Sequence, residues 1–231
     1  MLKKLEWDSS FFNKSIYSFE NSLEILREIN FDNYDRDSII YYFSDKLIPE
    51  LSSFLVDEKI VYSKRVQHED FFVDNQTFFC LKPTEKDRDI FYKFSIDSSH
   101  MSRFRKSNLF KDDLVDKLYM KWIDRAYDNM DLYYFICNVE QEKINSLVLI
   151  KVEDKKAQIE IVATAKDVRG QGIGKRSLEF SLNKLEQMHV EDAFVTTQLS
   201  NVPACRLYER CGFKRYDLKY IYHIQVKDLV K

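Results

Sequence analysis

Two short segments carry residues whose types and spacing could do chemistry. The first is Arg169-Gly170-Gln171-Gly172-Ile173-Gly174, followed by Lys175. Three of the chain's four glycines fall within five residues there. Glycines at alternate positions let a backbone adopt φ > 0 and approach a ligand closely. A helix that begins at such a loop adds unpaired N–H groups and a positive dipole end. Together these features make a site for a phosphate or pyrophosphate. The second segment runs from Asn201 to Phe213. Asn201 is a strong helix N-cap, and Pro203 is tolerated in a first turn. Asn201 and Tyr208 are seven residues apart, so two helical turns bring an amide and a phenol to one face. Taken alone, Asn201 also reads as a simple cap and Tyr208 as a packing residue.

The elements around these segments must hold them in place. Residues 132–139, 144–152 and 157–164 read as three strands joined by short polar breaks, as hairpins require. The glycine loop follows the third strand. A helix follows the loop, with Leu178, Leu182 and Leu185 at helical spacing. Residues 192–198 read as another strand. A helix from Asn201 ends at Gly212, a natural C′ glycine. Residues 214–226 finish as one or two strands. Upstream, Thr84 with Asp87 three residues later reads as an N-cap opening a helix over 85–97, and a second helix begins near Lys111. In the first third, 38–43 and 59–66 read as strands and 20–29 and 45–55 as helices, an α/β alternation. The boundary between an N-terminal α/β region (1–84) and the remainder (85–231) is placed near residue 84, with one continuous sheet through both allowed.

A dinucleotide fold wants its glycines after the first strand of a βαβ unit, with an acidic residue about 20 positions on; the spacing here does not fit. A P-loop needs GxxxxGK[ST], which is absent. A purely structural glycine turn is left as the competing reading. Residues 169–174 resemble the coenzyme A pyrophosphate loop of the GNAT superfamily of N-acetyltransferases. Residues 201–213 resemble its second motif, Asn-x-x-Ala-x-x-Leu-Tyr-x-x-x-Gly-Phe, in the family's order. The resemblance implies an α/β (α+β) fold with a mixed, largely antiparallel central sheet flanked by helices. It implies acetyl-CoA as cosubstrate and no metal. Strand residues Val162, Ala163 and Thr164 would meet the pantetheine arm. The amides of Gly170, Gln171, Gly172, Ile173, Gly174 and Lys175 would hold the pyrophosphate, with charge from Arg169 and Lys175. Tyr208 would be the general acid for the departing thiolate, and Asn201 would hold the pantetheine arm or a water.

Acetyl transfer needs a neutral amine, a stabilised oxyanion and a proton for the thiolate. A backbone N–H near Val162 would serve the oxyanion. No dedicated base is evident; Glu160, His223 and a water chain are the candidates.

The opening Leu5-Glu6-Trp7-Asp8-Ser9-Ser10-Phe11-Phe12 resembles the Leu-x-Trp-Asp-Ser-x-Phe-Phe start of the TDP-fucosamine acetyltransferase branch, with Asn13 where that branch carries Gly. Short matches at 102–104, 118–123, 197–198 and 222–223 extend it. The branch implies a dTDP-linked amino sugar as acceptor, in polysaccharide biosynthesis. Arg103, Arg105 and Lys106 would pair with a diphosphate, and Trp7, Phe11 and Phe12 would stack a base or sugar. His223 joins them as a substrate-side candidate. A solvated basic turn and aromatic packing of an N-terminal strand-loop compete with those roles. The alternatives at the level of function are a GNAT enzyme acting on a protein N-terminus, lysine or polyamine, and a non-catalytic acyl-CoA-binding module.

Composition narrows the classes further. The chain has 231 residues with 36 basic and 38 acidic side chains, so no global charge favours nucleic acid. Its 18 Phe and 14 Tyr read chiefly as core. Cys80, Cys137, Cys205 and Cys211 show no metal-ligand spacing. No signal peptide or membrane span is expected, which makes the cytoplasm the default location; a homodimer is the commonest closed assembly.

Overall fold

The structure, a computed structural model, describes residues 2–20, 22–69 and 76–230. In chain order the N-terminal part holds β1 (Lys3–Lys4), α1 (Glu6–Phe12), β2 (Ile16–Phe19), α2 (Leu23–Arg27), β3 (Ile39–Ser44) and β4 (Leu55–Arg65). Next come β5 (Phe78–Leu81), α3 (Arg88–Ser98), α4 (Arg103–Lys106) and α5 (Asp112–Asp128). Then follow β6 (Tyr133–Glu140), β7 (Lys143–Glu153), β8 (Lys156–Thr164), α6 (Ile173–Gln187), β9 (Asp192–Gln198), α7 (Val202–Arg210) and β10 (Lys214–Gln225). The strands form one sheet in the order β1-β2-β3-β10-β4-β9-β8-β7-β6-β5. Pairing is parallel at β2–β3 and β8–β9 and antiparallel elsewhere. This is the mixed, largely antiparallel α/β sheet that the glycine loop and second motif imply.

Side-chain alternation along the strands separates the two faces. On β7, Val148 and Ile150 join a core formed with α6 and α7, including Ile173, Leu178, Leu182 and Leu185. Leu147 and Leu149 point the other way, into a core with Phe91 and Phe94 of α3 and Ile123 of α5. Farther along, α1, α4 and α5 close over Ile16, Ile39 and Tyr41. Each such side chain, fully buried, contributes about 1.5–3 kcal/mol.

Several expectations are revised. Residues 45–55 are not an α-helix; Pro49 starts a 3-10 turn over Pro49–Phe54 and β4 follows at once. The helix expected over 20–29 is the short α2, capped by the Ser22 hydroxyl; residue 21 lies outside the described residues. Residues 214–226, read as one or two strands, form the single strand β10 (Lys214–Gln225), with its irregularities absorbed as bulges against β4. The aromatic N-terminal segment is helix α1, not a strand-loop. Asn13 ends it in the left-handed conformation (φ 49°), where asparagine is the next best residue to glycine. Thr84 and Asp87 do form the reciprocal capping box. No helix among the described residues is long and apolar enough to cross a membrane.

The largest topological finding is the place of β4. It lies between β9 and β10, so a strand from the first third of the chain sits inside the C-terminal sheet.

Candidate active site

The centre of the sheet contains a gap that the register defines. β8 pairs with β9 only from Lys156↔Asp192 to Ile159↔Val195. On its other edge β8 stays paired with β7 as far as Ser146↔Thr164. β9 likewise stays paired with β4 as far as Lys59↔Gln198. From Glu160 and Thr196 onward the two strands therefore diverge, leaving a notch. The cause is local: the β7–β8 register shifts between Leu149 and Ile150, where Glu160 is the extra residue of a bulge. Ile159 faces α6 and α7, while Ile161 and Ala163 face α3 and α5. Val162, Ala163 and Thr164 lie on the diverging stretch.

The glycine loop begins where β8 ends. The Ala165 N–H donates to the Asn145 carbonyl at 2.8 Å, and a 3-10 turn over Lys166–Val168 leads to Arg169. The Arg169 Nε–H donates to the Thr164 carbonyl at 3.0 Å and ties the loop to the strand. Gly170 and Gly172 have φ of 81° and 79°. A Cβ at either would meet nothing within 4 Å among the described residues, so open space lies in front of both. Gly172 is the N-cap of α6, which has no side-chain cap, so its first-turn amides are available to a ligand. Gly174 acts differently: a Cβ there would lie 3.2 Å from Thr164 Oγ1, so its role is close helix–strand packing. Ile173 is buried in the α6–α7 core, Gln171 is exposed, and Lys175 pairs with Glu179 at 2.5 Å along the helix. The Lys175 ammonium is thus partly committed before any phosphate arrives.

On α7, the Asn201 side chain accepts from the Ala204 N–H at 3.4 Å, as a cap should. Tyr208 is buried among Tyr62 and Phe213, with ring centroids 5.8 and 6.2 Å away. Burial first, then Cys205, Cys211 and Tyr62, raise its pKa well above the ordinary phenol value. The hydroxyl stays protonated and has a proton to give.

Candidate bases fare unevenly. Glu160 is engaged: Arg125 Nη2 donates to it at 2.8 Å and Tyr133 Oη at 3.4 Å. His223 is buried and stacked on Tyr41 at 4.5 Å, with Phe110 at 5.6 Å. Neither ring nitrogen has a hydrogen-bond partner among the described residues. Burial, then the charge of Arg103, push its pKa well below the usual imidazole value.

The basic cluster divides. Arg105 is committed to structure: it donates to Ser99 Oγ at 3.0 Å, to Asp112 at 3.0 Å and to Asp116. It is not free for a diphosphate. The Arg103 guanidinium lies 4.7–4.8 Å over the rings of Phe104 and Tyr41, and Lys106 Nζ donates to Ser200 Oγ at 3.0 Å. Phe12 is buried against Phe104 and Phe110, which removes it from the ligand contacts expected of it. Trp7 stacks on Phe11 at 5.0 Å and stays 54% exposed.

Sequence reasoning missed Asp57, a buried carboxylate on β4 whose Oδ1 has no hydrogen-bond partner among the described residues. Its burial raises its pKa to about 6, against the opposing pull of Lys106, Arg103, Gln198 and Lys59. Nothing in Leu55-Val56-Asp57-Glu58-Lys59 marks it out from Glu58; only the position of β4 in the sheet does.

A sheet that splits beside a bulged strand, followed by an open glycine loop and helix, defines the class. The acetyltransferase (GNAT) family profile matches residues 98–213, half of the chain, and the chain belongs to that family. It is similar to N-alpha-acetyltransferase 30 of Saccharomyces cerevisiae, with 30% identity over 73 residues, 32% of this chain and 42% of that one. It is also similar to the spore coat polysaccharide biosynthesis protein SpsD of Bacillus subtilis, with 25% identity over 155 residues, 67% of this chain and 53% of that one. The match spans about half the length of each of these relatives. A crystal structure of a GCN5-related N-acetyltransferase from Sphaerobacter thermophilus shares the fold at a TM-score of 0.56 and 12% identity, covering 82% of this chain and 60% of that one.

Proposed function

We propose that the chain transfers the acetyl group of acetyl-CoA to the amino group of a nucleotide-linked amino-deoxy sugar, by direct attack, in the synthesis of a surface polysaccharide. The observation that carries the acetyl-CoA part is the notch with the open loop at its end: β8 loses its β9 partner after Ile159, and Gly170 and Gly172 face unfilled space. In this reading the pantetheine arm lies along Val162–Thr164 and completes the interrupted edge. The pyrophosphate meets the amides of residues 170–175, with the Arg169 charge beside it. An N–H near Val162 meets the oxyanion. The amine lone pair forms the C–N bond, the C–S bond breaks, and Tyr208 protonates the sulfur. Asn201 holds the arm or a water. Residues 1–84 serve chiefly the acceptor side.

Support for a sugar nucleotide comes from the branch-like opening, from the exposed Trp7 stacked on Phe11, from the cations Arg103 and Lys106 on α4, and from the similarity to SpsD. The similarity to N-alpha-acetyltransferase 30 favours a second reading, acetylation of a peptide N-terminus. Incubation with acetyl-CoA and a panel of dTDP- and UDP-linked 3- and 4-amino-deoxy sugars, N-terminal peptides and polyamines separates them by product mass. An acetylated sugar nucleotide with unmodified peptides is the expected result. Acetylated peptides alone would overturn the sugar reading and leave acetyl transfer in place.

A further inference from the structure

We propose that Asp57 is the catalytic base: its carboxylate takes the proton from the acceptor's ammonium group at the mouth of the notch. The inference rests on the acetyl-transfer reading above.

Geometry carries it. Lys59↔Gln198 is the last β4–β9 pair, and the Leu199 N–H then donates to the Glu58 carbonyl at 2.8 Å. Asp57 therefore stands just past the end of β9, where the chain turns through Ser200 to Asn201 and α7. Alternation along β4 sends Ile60 and Tyr62 into the α6–α7 core and puts Asp57 and Lys59 on the opposite face. α4 packs against β4, and its Lys106 and Arg103 are the charges that act most strongly on Asp57. In the acetyl-transfer reading the thioester comes from the loop and α7 and the amine from the α4 side, so that Asp57, past the end of β9, stands beside the amine.

The surroundings of Asp57 are unusual for a structural carboxylate. It is 5% exposed, and no ion pair reaches it among the described residues. A buried acceptor oxygen left without a donor is destabilising, because its lost hydration is not replaced. A bound ammonium would remove that cost by donating to Oδ1. The charged and titratable neighbours are Arg103 and Lys106 on α4, Lys59 on β4 itself and Tyr119 on α5, with the Gln198 amide on β9. One carboxylate among three cations suits an acceptor that carries an amine and an anionic group together, as a nucleotide-linked amino sugar does.

The proton balance is simple. Asp57 takes one proton from R–NH3⁺. The neutral amine attacks the carbonyl carbon, and the C–S bond breaks with its electrons on sulfur. Tyr208 protonates the thiolate and is restored by the surplus proton of the new amide nitrogen. Asp57 then returns its proton to water, so one proton is released per acetyl group. A carboxyl whose pKa is about 6 is ionised at neutral pH and ready for this, and it loses the ability as pH falls below about 6.

The test is kcat/KM against pH for the wild type, Asp57→Asn and Asp57→Glu, using dTDP-4-amino-4,6-dideoxygalactose, with an N-terminal peptide and a polyamine measured alongside. The wild type should lose activity through an apparent pKa near 6. Asp57→Asn keeps the shape and removes a buried charge, so it should fold and keep the acetyl-CoA KM. Its acceptor kcat/KM should fall by about 10²-fold or more, without the limb near pH 6. Asp57→Glu should restore part of the rate and the limb. Wild-type rate and pH profile in Asp57→Asn would overturn the proposal while leaving the sugar reading intact. Turnover of the peptide or polyamine alone would overturn the sugar reading, and Asp57→Asn measured on that amine would then decide the role of Asp57. Turnover of none of the three would overturn both.

Discussion

Burial acts in opposite directions on Tyr208 and His223. It raises the Tyr208 pKa and so keeps the phenol a proton donor; it lowers the His223 pKa and keeps the imidazole neutral. For Tyr208 the consequence is kinetic. Tyr208→Phe removes one hydroxyl and keeps the ring that packs on Tyr62 and Phe213. Its kcat should fall by about 10²-fold with acetyl-CoA affinity little changed, measured as kcat beside a calorimetric Kd. For His223 the consequence is a pH-dependent stability. Its folded pKa lies below the ordinary 6.5, so the unfolded chain binds a proton that the folded chain refuses. This stability is fully present above pH 6.5 and declines below it, by about 1.4 kcal/mol per pH unit. Asp57 acts the other way: its raised pKa makes folding relatively more favourable as pH falls from about 6 towards 4. The wild-type curve alone therefore mixes two effects. His223→Phe isolates one. Between pH 7 and 5 the variant should gain on the wild type by about 2 kcal/mol in urea unfolding; parallel curves would show that the imidazole takes up its proton in the fold as it does in the unfolded chain. At this scale the sequence spoke through motifs alone. Asn201 and Tyr208 stood in one. Asp57 stood in none, because an aspartate followed by Glu58 and Lys59 reads as one more surface charge and acquires its buried environment only when β4 inserts beside β9.

At the scale of the element, the notch is a consequence of one extra residue. The bulge at Glu160 turns Ile161 to the other face and ends the β8–β9 pairing. The loop that follows depends on backbone conformation rather than on side chains. At Gly172, φ is 79°, and none of the described residues fills the space where a Cβ would go; in the proposed reading the pyrophosphate lies there. Gly172→Val should abolish acetyl-CoA binding by calorimetry in a protein that still folds, since strain and bulk coincide there. Normal binding by a folded variant would refute the loop as the pyrophosphate site. Loop, α6 and α7 were legible because glycine spacing, leucine periodicity and an Asn-Val-Pro start are local signals. The bulge was not, because Ile159-Glu160-Ile161 continues to look like an alternating strand. The split fate of Arg103, Arg105 and Lys106 was hidden for a similar reason: a four-residue helix aims adjacent cations at different partners.

At the scale of the whole molecule, the N-terminal region is part of the acetyltransferase sheet. β4 occupies the position between β9 and β10, and β3 covers the other edge of β10. Without residues 1–84, β9 and β10 would each expose an unpaired edge inside what is now a continuous sheet, a template for aggregation. A fragment of residues 85–231 should therefore be insoluble or lack cooperative unfolding, and co-expression with residues 1–84 should recover a soluble complex. A cooperatively folding fragment alone would show that β4 is dispensable. Alternating strands and helices announced an α/β region in the first third, but not its insertion. Which strand pairs with which is decided by long-range burial, such as that of Ile60 and Tyr62 against α7, and no local pattern encodes it.

The central claim is that this molecule moves an acetyl group from acetyl-CoA to an amine held at the notch. Release of free coenzyme A, followed with a thiol reagent, tests it most directly. Acetyl-CoA is supplied with a dTDP-linked 4-amino sugar and, in parallel, with the matching 4-hydroxy sugar. The account expects background release with the hydroxy sugar and sustained release with the amino sugar, one coenzyme A per amine acetylated. A protein that binds acetyl-CoA yet releases no thiol with that sugar, peptides or polyamines would contradict it and leave only an acyl-CoA-binding module.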